Sequence, residues 1–379
     1  VLRHGQILQL LVMALLGLAL VMVHSAGMTI GQSSDGTSIL LSRHLAYAIT
    51  AVGVMLFVSR LDVRSVFTTR GWTNPLPWMV AVAIGLTVYV QLFGRTINGA
   101  RRWGHLFGVS YQPSELIKWT LVVAIAWWCS RRQHAMRRFF DGLLPPLLLV
   151  GLGCGLVIIE DLGTAALIGA VAMLLLLAGG AKLWHMALIA PGPIVAVVVA
   201  IITSPYRKAR IFSFLDPWLD PEGTGYHAIQ SMVAIAGGTA TGRGLGNGIQ
   251  KFGYLPEDTT DFVFAIICEE LGIVGAVLVV AIYLTLIWTV LGVVRDCRDV
   301  FGRLLALGVM LTVGLQALMN LSVVTVMVPT KGIALPLLSA GGTGWIATAA
   351  AIGLVVALDE ANHLDDIPSL DDPAAYAVG

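Results

Sequence analysis

The chain is a succession of apolar segments, each long enough to cross a bilayer. They lie near residues 6–23, 44–59, 76–93, 114–130, 143–159, 163–180, 183–203, 262–292, 303–328 and 342–358. A helix needs roughly 17–25 apolar residues to span the hydrocarbon. The bilayer itself demands helices, because every backbone polar group must find its partner within the protein. The pattern predicts an all-α polytopic integral membrane protein with about ten transmembrane helices. Composition agrees: 57% of residues are hydrophobic and 12% charged, against about a quarter charged in a soluble domain. No strand-like alternation and no fixed-period repeat is visible. The first segment reads as a retained helix, since no small-residue cleavage site follows it. The segments at 262–292 and 303–328 are long enough to tilt or to project from the bilayer. Pro145, Pro146, Pro191 and Pro193 predict kinks or interruptions in the fifth and seventh helices.

Several function classes drop out early. A net charge of +1 gives no footprint for nucleic acid. Cys129, Cys154, Cys268 and Cys297 lie in or beside apolar segments without CxxC spacing, which argues for small buried hydrophobes over a zinc or disulfide framework. The glycines of "GRGLGNG" (242–248) follow no strand and open no helix with a GK[ST] signature, so they read as turns or close backbone approaches and not as a nucleotide loop.

Residues 1–358 read as one transmembrane domain with two long connections, 94–113 and 204–260. The second carries "SFLDPWLDPEGTGYH", whose Phe212, Phe214 and Trp218 suit the membrane interface. It is expected to be an ordered extracytoplasmic loop between the seventh and eighth helices. Residues 359–379 read as an acidic, disordered cytoplasmic tail. About ten spans put both termini on one side. With the N-terminus cytoplasmic, most short basic loops, such as those bearing Arg60, Arg64, Arg131, Arg132, Arg137 and Arg138, face inward.

The outer face then holds an unexpected set of cations, in "NGARRWGH", "YRKAR", "GRG" and "PTKG", next to the acids of "YLPEDTTDF". Basic residues on that face point to an anionic interfacial ligand such as a lipid-linked diphosphate, which arginine reads well. Glu115 and Lys118 share a helical face at i, i+3 and can pair; packing and ligand binding stand equal for them. Asp161 suits a helix N-cap. Glu269 and Glu270 suit helix packing or polar support, and Asp258 a solvated loop charge. Asp261 opens a helix near the interface, among cations, which suits either an N-cap or a general base.

Five stretches, "NGARRW", "QPSELIK", "FLDPWLDPEGTGYHAIQS", "YLPEDTTDFVFAIICEELG" and "PTKGIALPLLSAGGTGW", together resemble the SEDS family over nearly the whole chain, with a lean to its division and sporulation branch over its rod-shape branch. The resemblance implies a peptidoglycan glycosyltransferase of the bacterial cytoplasmic membrane. It would polymerise lipid II into β-1,4-linked glycan on the outer face, beside a class B penicillin-binding protein. The essential aspartate of the family falls on Asp261. Its substrate-binding positions fall on Arg101, Arg102, Glu115, Lys118, Arg210, Glu257 and Lys331. Three positions depart from the family pattern: Thr259 stands for a His, Glu160 for a Pro and Ala340 for a Tyr.

The implied reaction inverts an α-linked undecaprenyl diphosphate donor, with Asp261 taking the proton of the acceptor hydroxyl. A diphosphate leaves as a stabilised anion, so cations or a divalent metal (Mg or Mn, which the residues do not decide) can replace the second carboxyl of hydrolytic inverting enzymes. A lipid II flippase and a non-catalytic scaffold for a cell-wall enzyme are the alternatives.

Overall fold

The computed structural model describes residues 2–26, 42–69, 71–97, 100–106, 109–252, 254–255, 259–329 and 332–366, and places a helix at each expected span. These are α1 (His4–Ala26), α2 (Arg43–Val58), α4 (Pro75–Phe93), α5 (Pro113–Arg131), α6 (Leu144–Ile158), α7 (Leu162–Ala178), the pair α8 (Leu183–Ile189) and α9 (Pro191–Ile202), then α12 (Val263–Asp296), α13 (Val300–Val324) and α14 (Thr343–Asp366). The short α3 (Val63–Thr68) joins α2 to α4, while α10 (Pro205–Leu215) and α11 (Tyr226–Gly237) lie between α9 and α12. Among the described residues, seven helical stretches are long and apolar enough to cross a membrane, and Arg43–Val58 and Leu162–Ala178 are shorter apolar helices. The protein is a multi-pass membrane protein.

The prolines act as expected in the seventh span but not in the fifth, where they stand in the first turn of the helix and do not kink it. Pro145 and Pro146 open α6 after a wide turn at Phe139–Leu143, and Pro191 divides the seventh span into α8 and α9. Helices α5, α7, α12, α13 and α14 form the interior, with α1 against α12 and α2 along α14. All four cysteines are unpaired and buried or half-buried.

Four features depart from the expected plan. The connection after α4 is a small antiparallel sheet of β1 (Arg95–Ile97), β2 (Ala100–Leu106) and β3 (Val109–Tyr111). Its strands are three, seven and three residues long; the outer two are too short for alternation to stand out, and the seven residues ARRWGHL of β2 do not alternate. Gly104 faces Tyr111 in this sheet, and any Cβ there would overlap the tyrosine ring.

The tail predicted from Asp359 instead continues α14 as far as Asp366. Asp359 is buried and accepts a 2.8 Å hydrogen bond from the Gly5 N–H, so the last helix is tied to the first. Residues 367–379 lie outside the described residues.

The eighth span is not one continuous helix: Gly272 breaks α12 with φ +65° and ψ −157°. The freed carbonyls of Glu269 and Glu270 accept from the N–H groups of Arg243 and Gly244, at 3.0 and 2.9 Å. Side chains complete the join. Glu269 accepts from the N–H groups of Ile249 and Gln250, and Glu270 from those of Gly246 and Gly248, from the Ser25 hydroxyl and from Lys251, whose Nζ is 2.9 Å away. Lys251 and Glu270 side chains are both fully enclosed. Intramembrane irregular backbone is tolerated only when protein satisfies it; the two glutamates do this for the 242–251 loop, the polar support expected of them.

The fourth feature is Ile333–Ser339, non-helical and largely buried ahead of α14. The 204–260 connection is ordered where described. Ser204 caps α10, Asp216 caps the turn at Trp218, and hydrogen bonds from the Thr224 N–H and hydroxyl hold the Asp220 carboxyl below the ordinary carboxylate range. Phe212 and Trp218 are exposed.

Glu270→Ala is expected to lower stability by about 3–5 kcal/mol, because Lys251 is left buried without its counter-ion. Lys251→Met in the same chain should recover much of the loss. Thermal unfolding of the detergent-purified protein measures both.

Candidate active site

Asp261 immediately precedes α12, whose N-cap is Phe262, so the N-cap reading of Asp261 is set aside. The turn is held from α13. Asn320, 1% exposed, donates through Nδ2 to the Asp261 carbonyl at 2.8 Å and to the Ile333 carbonyl at 2.7 Å. One helical turn earlier, Gln316 donates to the Ala334 carbonyl at 2.8 Å and accepts from Lys118 Nζ. Residues four apart share a helix face, so Gln316 and Asn320 form one polar edge that grips both the start of α12 and the 333–334 segment. Tyr283 adds a bond to the Pro336 carbonyl, and the Ala340 N–H bonds the Thr259 carbonyl at 2.9 Å.

This clamp brings Gly332 against Asp261. A Cβ built on Gly332 would stand 2.8 Å from Asp261 Oδ2 and 3.7 Å from Arg102 Nη1. The carboxylate and the guanidinium thus end at the same glycine. Arg102 reaches it from β2, with Nε bonded to the Glu160 carbonyl at 2.7 Å. The Arg101 N–H donates to Glu160 Oε2 at 2.6 Å, while its guanidinium donates to the carbonyls of Gln91 and Leu92 at the end of α4. Successive strand residues point to opposite faces, and Arg102 is the one of the adjacent pair whose guanidinium ends at Gly332. Beside Arg102 is a cavity of about 30 Å³ lined by Gln91, Ser114, Glu160 and Asp161, room for about one water.

The other anticipated residues take distinct places. Lys118, 2% exposed, donates to both carboxylate oxygens of Glu115 at 2.8 and 2.7 Å and to Gln316 at 2.8 Å. Its ammonium is therefore engaged within the clamp. Asp161 is the N-cap of α7, as expected, accepting from the Thr164 N–H and hydroxyl. Arg210 lies on α10 with its guanidinium 4.6 Å from the Tyr206 ring centroid. Arg207, one turn before it, donates to the Ile158 and Ile159 carbonyls and so docks α10 beside the Glu160 turn. Glu257, Asp258 and Lys331 lie outside the described residues.

Gln316, Asn320 and Gly332 were missed from the residue pattern. The available signal was "QALMN": two amides four residues apart inside an apolar run, where an unsatisfied amide is expensive.

A family model described as cell cycle protein, FTSW_RODA_SPOVE, matches residues 6–364. A relative from Aliivibrio salmonicida called probable peptidoglycan glycosyltransferase FtsW is 38% identical over 345 residues, covering 90% of this chain and 85% of the relative. A chain from a solved peptidoglycan synthase complex, described as coordinating polymerization and crosslinking, is 28% identical with a TM-score of 0.75, covering 94% of this chain and 97% of that one. The Thermus thermophilus rod shape determining protein RodA shares the fold at 24% identity and a TM-score of 0.66, covering 94% and 96%.

Asn320→Ala leaves two buried carbonyls without a donor and is expected to lower stability by about 1–3 kcal/mol. Thermal unfolding checks the loss, and Asn320→Asp should not repair it, because a carboxylate cannot donate there.

Proposed function

The chain belongs to the FTSW_RODA_SPOVE family of cell cycle proteins, and on that premise we propose that it is a peptidoglycan glycosyltransferase that polymerises lipid II. The observation that carries the residue assignment is the convergence of Asp261 Oδ2 and Arg102 Nη1 on Gly332. A general base and a cation side by side suit a displacement in which a hydroxyl loses a proton while a diphosphate gains charge.

Asp261 takes the proton of the acceptor 4-hydroxyl. The new C1–O4 bond forms on the face opposite the breaking C1–O(phosphate) bond, so the α-linked donor gives a β-linkage. The bonding pair leaves with undecaprenyl diphosphate. Arg102 stabilises that developing charge, with Arg210 and Lys331 assigned to the rest of the diphosphate and Glu257 to orienting the acceptor. Lys118 and Glu115 act at one remove, by holding Gln316 and through it the 333–334 segment. Their polar contacts lie within the protein.

A magnesium or manganese ion fits only as a partner of the diphosphate, because Mg²⁺ takes one or two carboxylates together with substrate phosphates. Among the described residues no group of three or more His, Cys, Asp or Glu side chains stands together. Glu257 would help to hold such an ion, which would screen the phosphates; the proton transfer to Asp261 does not require it. The proposed setting is the bacterial cytoplasmic membrane with both termini cytoplasmic. The proposed partner is a class B penicillin-binding protein.

Asp261→Asn keeps side-chain size and removes the base, so polymerisation of lipid II should fall by roughly 100- to 10,000-fold. Gly332→Ala pushes a methyl against the same carboxylate and should cost about 100-fold through misplacement. Both are read as glycan length from purified protein and its partner, with lipid II in liposomes. Wild-type polymer from Asp261→Asn would remove the base assignment. Translocation of lipid II without any polymer from the wild type would replace the enzyme by a flippase.

A further inference from the structure

At the end of the bundle away from Asp261, α4, α5 and α6 part around a cavity of about 710 Å³. That volume falls in the range of about 300–1,000 Å³ found for small-molecule sites. Helix α5 sets the separation. It starts at Pro113, beside the Arg102 cavity, and runs 19 residues to Arg131, about 28 Å at 1.5 Å per residue. The two cavities therefore open toward opposite membrane faces.

The walls are hydrocarbon: Pro77 and Val80 from α4, Ala124 and Ile125 from α5, and Pro146 and Leu149 from α6. One end is different in kind. Trp127, Trp128 and Arg131 close it. The Arg131 guanidinium lies 5.5 Å from the Trp127 ring centroid, and that of Arg132 lies 4.7 Å from the Trp128 ring centroid. Arg131 is exposed and donates to the Thr68 carbonyl at 2.8 Å. Of the five N–H donors of an arginine, the described residues take this one. Arg137 and Arg138 follow in the next turn, and among the described residues the acid paired with them is Asp141, 3.9 Å from Arg138. The mouth is thus cationic and rimmed with indoles, while the body is apolar.

Tryptophan and arginine together mark the level of lipid headgroups, and basic pockets between transmembrane helices take anionic headgroups. A guanidinium fork matches a phosphate better than an ammonium does. A soluble anion would leave the apolar walls unfilled, and a neutral lipid would leave the arginines unanswered. We propose that this cavity binds one anionic glycerophospholipid, its phosphate on Arg131 and an acyl chain between α4 and α6. The site is independent of the glycosyltransferase reading, since none of its residues touches Asp261 or Arg102 in the structure.

The test uses the full chain in nanodiscs made from equal parts of dioleoyl phosphatidylglycerol and dioleoyl phosphatidylcholine. Native mass spectrometry of the released protein counts the lipid that stays bound. The wild type should retain one phosphatidylglycerol in preference to phosphatidylcholine. Arg131→Gln should reduce that preference by about tenfold, the loss of one charge-assisted contact. Leu149→Trp places an indole in the path of the acyl chain, leaves the Arg131 side chain in place and should remove the bound lipid; it carries the test alone if Arg131→Gln does not fold. Arg137→Gln, on the same face outside the cavity, should behave as wild type. Equal retention of the two lipids by the wild type, wild-type retention in Leu149→Trp or in folded Arg131→Gln, or an equal loss in Arg137→Gln would each overturn the proposal.

Discussion

One carboxamide joins the two halves of the candidate site. Asn320 gives both hydrogens of its Nδ2 to carbonyls from different parts of the chain, one at Asp261 and one at Ile333. Neither stretch is helical at that level, and a bare carbonyl inside a membrane costs several kcal/mol. The side chain that removes this penalty also sets the separation of the two stretches. Asp261 and Gly332 are neighbours because α13 offers Gln316 and Asn320 on one edge, and because Lys118 and Glu115 hold Gln316 from behind. The polar groups buried in this bundle serve chiefly to let backbone leave helical form where the chemistry needs it.

The same rule explains the second irregular region. Gly272 interrupts α12, and the 242–251 loop enters the gap with its N–H groups on the carbonyls and carboxylates of Glu269 and Glu270. The segment Val263–Leu271 after Asp261 is therefore a short helix anchored at its far end by an ion pair with no solvent exposure. Asp261 is held at the start of that helix by an amide and at its end by two glutamates. A general base needs this rigidity more than it needs stability, since small misplacements of a reacting group are expensive in rate.

Much of the plan was legible from hydropathy and prolines. The helices, the break at Pro191, the Asp161 cap and the Glu115–Lys118 pair each follow from local rules acting over a few residues. What escaped was short or distant. Two strands of the small sheet run only three residues, below the length at which alternation can be told from chance, and the seven residues of β2 do not alternate. Asp359 looked like the start of a solvated tail because nothing nearby reveals that Gly5, 354 residues away, would take its carboxylate. Lys118 looked like a candidate for diphosphate, and its partner Gln316 is 198 residues distant.

By itself the sequence determined that the chain crosses a membrane many times, where its helices lie, and that Asp261 stands among cations near an interface. These are consequences of side-chain chemistry and of segment length against bilayer thickness. Tertiary structure alone decided that Arg102 ends at the same glycine as that aspartate. Adjacent strand residues face opposite ways, so the Glu160 carbonyl takes Arg102 Nε while the Arg101 guanidinium turns to the end of α4. It also decided that Gly332 packs against the Asp261 carboxylate. That choice follows from how two non-helical segments are hung on α13, a long-range pairing that no local pattern encodes.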